Sequence, residues 1–132
     1  MAEVLVVDDD ADTLKLVTLI LSRAGHQVLP VERGADALTQ IAKQRPDAIL
    51  LDIMLPDMDG FSVAQKLHTT MPDSPPILFF SARGSAEDQV TSRTLGDGFL
   101  MKPVRLTTLL EAVRKVLESS QKKSEPPQTE PS

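Results

Sequence analysis

The sequence predicts an α/β fold, a doubly wound parallel sheet of five strands with five helices. Three observations carry this. Five short apolar runs alternate with stretches whose apolar residues recur at helical spacing, the pattern of repeated strand–helix units, with no internal sequence repeat. The middle run, Ala48-Ile49-Leu50-Leu51, is apolar throughout and lies between Pro46 and the turn residues Pro56 and Gly60, as a strand covered on both faces requires. The first, third, fourth and fifth runs each lead into a polar residue, namely Asp8, Asp52, Ser81 and Lys102.

In order, Glu3 to Val7 is a β-branched first strand that stops at Asp8-Asp9-Asp10, with Asp10 the expected N-cap. Leu14, Val17, Ile20, Leu21 and Ala24 mark the first helix, Asp12 suits its dipole, and Gly25 ends it. Gln27 to Val31 is a short second strand whose Pro30 is tolerated only at a sheet edge. Ala35, Leu38, Ile41 and Ala42 mark the second helix, closed by Pro46. After the central strand, Phe61, Ala64, Leu67 and Met71 mark a third helix, ended by Pro72 and the turn Asp73-Ser74-Pro75-Pro76. Ile77 to Phe80 is the fourth strand. The next helix, residues 86 to 95, has only Ala86, Val90 and Leu95 as apolar residues, so it buries little and is expected to be the least firmly held. Phe99-Leu100-Met101 is the fifth strand, and Leu106, Leu109, Leu110, Val113, Val116 and Leu117 mark a strong last helix. Residues 120–132 contain nothing apolar and are expected to form a disordered tail or linker.

Composition bounds the function. A length of 132 residues suits one domain, and 3% aromatic residues imply a core of aliphatic residues and methionine. The net charge of -5, with no long basic run, gives no electrostatic footprint for nucleic acid or an anionic membrane, so direct nucleic-acid contact by these residues is not expected. The absence of cysteine excludes disulfides, thiolate nucleophiles and cysteine-based metal sites. No apolar segment reads as a signal peptide or membrane span, and a cytoplasmic location is expected.

In the flavodoxin-like order 2-1-3-4-5 the first and third strands are neighbours, which brings Asp8, Asp9 and Asp52 together where the strand order reverses. Clustered carboxylates stay ionised only beside a cation. Mg²⁺, a hard ion that takes carboxylate, water and phosphate oxygens, answers that need. Asp52 can then serve as a nucleophile in phosphoryl transfer, with Lys102 as a second positive clamp and the Ser81 hydroxyl as a donor. Taken singly each residue has a plainer reading, an N-cap for the acid run, a turn for Ser81 and a solvated charge for Lys102. His26 and His68 carry no comparable arrangement.

The motifs Val6-Val7-Asp8-Asp9-Asp10, Leu50-Leu51-Asp52-Ile53-Met54-Leu55-Pro56-Asp57-Met58-Asp59-Gly60, Phe80-Ser81-Ala82-Arg83-Gly84 and Met101-Lys102-Pro103 resemble the receiver domain of two-component response regulators, over residues 3 to about 119. The resemblance implies the CheY-like strand order just named and a receiver unit over residues 1–119. It makes Asp52 the phosphoacceptor, Asp8 and Asp9 the acidic pair for Mg²⁺, the Met54 carbonyl a backbone ligand, Ser81 the switch hydroxyl, Phe99 the switch aromatic and Lys102 the phosphate partner. It further implies a cis peptide before Pro103 and a sensor histidine kinase or phosphotransfer protein as phosphoryl source. A downstream effector domain or protein would read helix 4, strand 5 and helix 5. Chemistry would be limited to the domain's own phosphorylation and dephosphorylation, so the domain is not an enzyme in the usual sense. Three departures stand out. Leu95-Gly96-Asp97-Gly98-Phe99 is one residue shorter than usual, Ser81 replaces the commoner Thr, and Val104 stands where Phe is frequent.

Two other readings share parts of the pattern. A haloacid-dehalogenase-type enzyme would use Asp8 as nucleophile, but its Asp-x-Asp-x-Thr pattern fails at Asp12 and no late acidic pair follows. A flavodoxin-like flavin binder needs amides after strand one, where three carboxylates would repel phosphate.

Overall fold

The computed structural model describes residues 2–82 and 84–124, of which residues 120–124 are described by backbone alone. Ten elements alternate: β1 (Glu3–Val7), α1 (Ala11–Arg23), β2 (Gln27–Val31), α2 (Gly34–Lys43), β3 (Ala48–Asp52), α3 (Gly60–Thr70), β4 (Ile77–Ser81), α4 (Ala86–Leu95), β5 (Gly98–Met101) and α5 (Leu106–Ser124). The strands form one parallel sheet in the order β2-β1-β3-β4-β5, as expected. Every residue of β3 and β4 is buried, so the chain's most apolar runs occupy the middle of the sheet.

Because side chains alternate along a strand, the sheet divides the core into two layers. Leu5, Val7, Ile49, Leu51, Ile77 and Phe79 pack with α2 and α3 on one face. Val4, Val6, Leu50, Leu78 and Phe80 pack with α1 and α5 on the other. Phe61 meets Phe79 edge-on with ring centroids 5.0 Å apart, which spends two of the four phenylalanines on the α3 side. At the β2 edge, Gln27 donates its N–H to Ala2 and Val31 gives its carbonyl to Asp8, so odd-numbered residues face β1. Pro30 therefore turns its missing N–H outward and blunts the exposed edge.

The helices differ from expectation in detail. Gly25, with φ of 94°, closes α1 in the left-handed region, but Ala24 is exposed because it lies past the last turn. In α2 the buried face is Gly34, Ala37 and Ile41 with Leu38 half-buried, while Ala35 and Ala42 face outward. Three alanines on one short helix carry too little apolar area to choose the face, and the tight seat of Gly34 against Met58 and Val63 chooses it instead. Val63 joins the buried stripe of α3. In α4 Val90 is exposed and only Ser92 is fully buried, its hydroxyl donating to the Asp88 carbonyl at 2.8 Å. Leu106 is likewise exposed at the start of α5.

The last helix runs to Ser124, past the boundary expected at residue 119. Nothing from Glu118 to Ser124 breaks a helix, and extending a docked helix costs far less than nucleating one. The part of the expected tail from residue 125 onward lies outside the described residues.

One close approach sets the base of the loop after β3. The Gly60 N–H donates to the Ile53 carbonyl at 2.6 Å, and a β-carbon at Gly60 would stand 2.3 Å from the Asp52 carbonyl oxygen. Gly60→Ala must therefore push α3 off the end of β3. A loss of about 1–3 kcal/mol in urea unfolding is expected, the range for overpacking a tight site. An unchanged midpoint would contradict this contact.

Candidate functional site

The carboxyl ends of β1, β3, β4 and β5 open on one edge of the sheet, and the polar residues that follow the apolar runs meet there. Asp8 is fully buried, Asp52 nearly so, and Asp9 is exposed. One carboxylate oxygen from each of the three lies within 4.8 Å of the other two. The acid run divides its labour. Asp10 is the N-cap of α1, accepting from the Asp12 N–H at 3.3 Å and from the Thr13 hydroxyl at 2.6 Å. That cap leaves Asp8 and Asp9 to the cluster.

Lys102 enters from the end of β5, where its N–H donates to the Ser81 carbonyl at 2.9 Å. Its ammonium donates to Asp8 Oδ2 at 2.5 Å and to Asp52 Oδ2 at 2.9 Å, and lies 4.7 Å from the Phe80 ring centroid. The peptide bond from Lys102 to Pro103 is cis, as the resemblance implied. The remaining oxygens are also used, since Asp8 Oδ1 accepts from the Asp10 N–H at 2.9 Å and Asp52 Oδ1 from the Met54 N–H at 3.1 Å.

The electrostatics follow from burial. Desolvation pushes the Asp52 carboxyl above its ordinary value of 3.8, and the hydrogen bonds from Lys102 and Met54 only partly offset it. Desolvation alone would lower the Lys102 ammonium, yet its bonds to Asp8 and Asp52 outweigh that and hold it above its ordinary range. Three carboxylates around one ammonium leave a net negative pocket of hard oxygen donors. Such a set fits a small divalent cation such as Mg²⁺.

Ser81 is buried at the end of β4, one residue past Phe80, which pairs with Asp52. Phe99 does not join the cluster. It pairs with Phe79 in β5, is half-buried, and sets its ring against Gly84 in the loop after β4, where a β-carbon would stand 2.8 Å from Cζ. The short approach to strand five is accommodated by starting β5 at Gly98 and tying Asp97 to Ile77. Asp59 caps α3 through the Ser62 N–H at 2.8 Å.

Asp57 lies in the same loop, and its partners lie elsewhere in the fold. Its two oxygens accept the N–H groups of Gly34 and Ala35, each at 2.9 Å, which hold its carboxyl below the usual range. A signal for this existed in the sequence. Arg33, which has no oxygen to offer, occupies the N-cap position of α2, while Pro56-Asp57-Met58-Asp59-Gly60 holds one acid more than α3 needs. His68 is also structural, donating to the Leu95 carbonyl at 2.5 Å and joining α3 to the end of α4.

With this geometry in place, comparison with known proteins is specific. A protein-family model described as the response regulator receiver domain matches residues 4–114. The chain belongs to the response regulator receiver domain family. The receiver is 36% identical over 125 residues to the transcriptional regulatory protein AfsQ1 of Streptomyces coelicolor, which covers 94% of this chain and 55% of that protein. It is 41% identical over 115 residues to the transcriptional regulatory protein PrrA of Mycobacterium tuberculosis, covering 86% of this chain and 49% of that protein. The chain thus spans about half the length of these curated relatives. Among solved structures, the CheY-like receiver domain protein of Methanospirillum hungatei JF-1 superposes with a TM-score of 0.86 at 30% identity, covering 94% of this chain and 99% of that one. Chemotaxis response regulator CheY4 of Vibrio cholerae gives 0.81 at 31% identity, with 88% and 98% covered. No helix among the described residues is long and apolar enough to cross a membrane.

The raised Asp52 carboxyl gives the receiver a stability signature. A carboxyl whose folded pKa lies above its unfolded value destabilises the fold when ionised, so this cost is present above the folded pKa and is lost as pH falls through it toward 3.8. Asp52→Asn should therefore raise the urea midpoint at pH 7, and the gain should vanish below about pH 3, where the acid is neutral in both states. A gain that persists there, or a loss at pH 7, would contradict the assignment.

Proposed function

We propose that this receiver accepts a phosphoryl group on Asp52 from a phosphohistidine of a sensor histidine kinase or phosphotransfer protein, and that Mg²⁺ held by Asp8, Asp9, Asp52 and the Met54 backbone carbonyl is required. The observation that carries this reading is the shared Lys102 ammonium between Asp8 and Asp52, with Asp9 beside them. An Asp52 carboxylate oxygen attacks phosphorus, the P–N bond of the donor breaks, and its electron pair leaves with the donor imidazole. Mg²⁺ supplies positive charge to the phosphoryl oxygens when bound. Lys102 turns from bridging two carboxylates to neutralising the new phosphoryl oxygens, while Asp8 and Asp9 keep their place. Fixed charges in line with the nucleophile are nearly all that phosphoryl transfer asks of a protein.

The output follows from the added charge, roughly -1.5 to -2 with three strong acceptors. The Ser81 hydroxyl is drawn toward the phosphoryl oxygens and carries the loop after β4 with it. Phe99 lies against that loop at Gly84, so its ring follows. The face that reports the change is α4, β5 and α5. Support comes from α4, which buries only Ser92 fully, and from the exposed apolar residues Val90, Met101 and Leu106, one on each element. Moving an equilibrium from 1:99 to 99:1 takes about 5.5 kcal/mol, more than a few charge-assisted hydrogen bonds supply, so switching is partial.

In this reading the domain turns over no substrate beyond its own phosphorylation and dephosphorylation. It works in the cytoplasm, where a kinase's phosphohistidine is found. The receiver unit closes with α5, and a downstream effector domain or protein reads its state. DNA is a candidate partner of the whole protein, since the longer relatives are named as transcriptional regulators. We confine the expectation of no direct nucleic-acid contact to these residues, whose acidic balance offers no attraction.

The test is labelling with acetyl phosphate and Mg²⁺, followed by intact mass and amide exchange. Wild type should gain one phosphoryl group and change exchange over residues 86–99. Asp52→Ala should gain none, and Asp9→Ala should lose Mg²⁺ binding and with it the Mg²⁺-dependent labelling. Ser81→Ala should be labelled yet show a reduced exchange change. Full labelling of Asp52→Ala would overturn the phosphoacceptor, and equal exchange changes in wild type and Ser81→Ala would overturn the coupling.

A further inference from the structure

The geometry points to Asp57 as a positioning residue for the metal site, acting through the loop after β3 and not as a ligand. This rests on the site proposed above. The Asp57 carboxylate closes a ring of backbone contacts around the acid cluster. On one side, the Asp8 N–H donates to the Val31 carbonyl at the end of β2, and the chain runs three residues on to Gly34 at the start of α2. On the other, Asp52 Oδ1 accepts the Met54 N–H, and the chain runs three residues on to Asp57. Asp57 joins the two arms through paired 2.9 Å bonds to Gly34 and Ala35, and the β1–β3 ladder closes the ring from below.

Asp57 supplies the loop tip with two hydrogen bonds to another element, beside the packing of Leu55 and Met58 on the core. The base is pinned by Gly60 to Ile53 and by the bridge between Met54 and Asp59. At the tip, Met58 packs over Gly34, where a β-carbon would stand 2.6 Å from Cγ. No side chain at the α2 N-cap position competes for the amides that Asp57 takes, and a carboxylate is the group those amides and the helix dipole favour. Removing Asp57 frees the tip of the loop, and the strain reaches Met54 and the backbone next to Asp52 through the Met54–Asp59 bridge. Asp8 and Lys102 stay in place. The expected deficit is therefore in Mg²⁺ affinity, and the chemical step at saturating metal is spared.

Calorimetric titration of the full chain with MgCl₂ tests this, beside labelling by acetyl phosphate across Mg²⁺ concentrations and amide exchange at Gly34, Ala35 and Met54 without metal. In Asp57→Ala the dissociation constant for Mg²⁺ should rise about 10-fold, the scale for losing a group that orients a ligand, while the plateau labelling rate stays within about 2-fold. Asp57→Asn keeps one acceptor and should fall between, which also guards against misfolding of the alanine variant. Ile41→Val loosens the buried face of the same helix without touching the loop and should leave the constant unshifted. A folded Asp57→Ala with wild-type affinity, or an equal shift in Ile41→Val, would overturn the role while leaving the proposed site intact. A wild type that binds no Mg²⁺ would overturn the site and this role together.

Discussion

Two carboxylates that are almost completely removed from water share one ammonium. Asp8 and Asp52 end neighbouring strands, and Lys102 reaches them from the end of β5, two strands from β3 and three from β1. Taking a charge out of water costs several kcal/mol unless a partner of opposite sign is fixed beside it. The partner here can only be fixed by the sheet. Lys102 is held at its backbone by Ser81 and at its ammonium by the face of the Phe80 ring, so the order of the strands and the balance of charge are one constraint. Three acids against one lysine still leave a deficit of positive charge. That deficit fits the pocket to a small divalent cation.

Around this centre the supporting parts sort themselves by distance. Asp10 and Asp59 serve their own helices, and Asp57 serves a helix that is not its own. The same residue type thus appears as buried partner, exposed ligand candidate, local cap and tertiary cap within two short segments. Burial and the nearest unpaired N–H decide which. On the far side of β4 the packing is deliberately thin only in the sense that α4 has little apolar surface to contribute. Its foothold is Ser92, Leu95 and the His68 bond at its last turn.

What could be read from the residues alone was set by large apolar side chains and by punctuation. The runs at Val4 to Val7, Ala48 to Leu51 and Ile77 to Phe80 have no other home than a covered sheet, and Pro30 belongs at an edge. The convergence of Asp8, Asp9, Asp52 and Lys102 followed from strand order, which came as much from resemblance as from pattern. Legibility failed where side chains were small or partners distant. Alanines could not orient α2, Val90 looked like an anchor but was displaced by a serine that satisfies its own hydroxyl, and the end of α5 had no breaker to mark it. The bonds of Asp57 to Gly34 and Ala35 span more than twenty positions, so the sequence shows an N-cap without an oxygen and a spare acid but nothing local that pairs them.

The central claim is that the Lys102 ammonium is what lets the fold bury Asp8 and Asp52 side by side. A double-mutant cycle on stability, in Mg²⁺-free buffer at pH 7, addresses it directly. Lys102→Met should cost about 3 kcal/mol in the wild-type background, as expected when one partner of a buried ion pair is removed. The cost should shrink by at least about 1 kcal/mol when Asp52 is already Asn, because one of the stranded charges is gone. Equal costs in the two backgrounds, or no cost in either, would contradict the account.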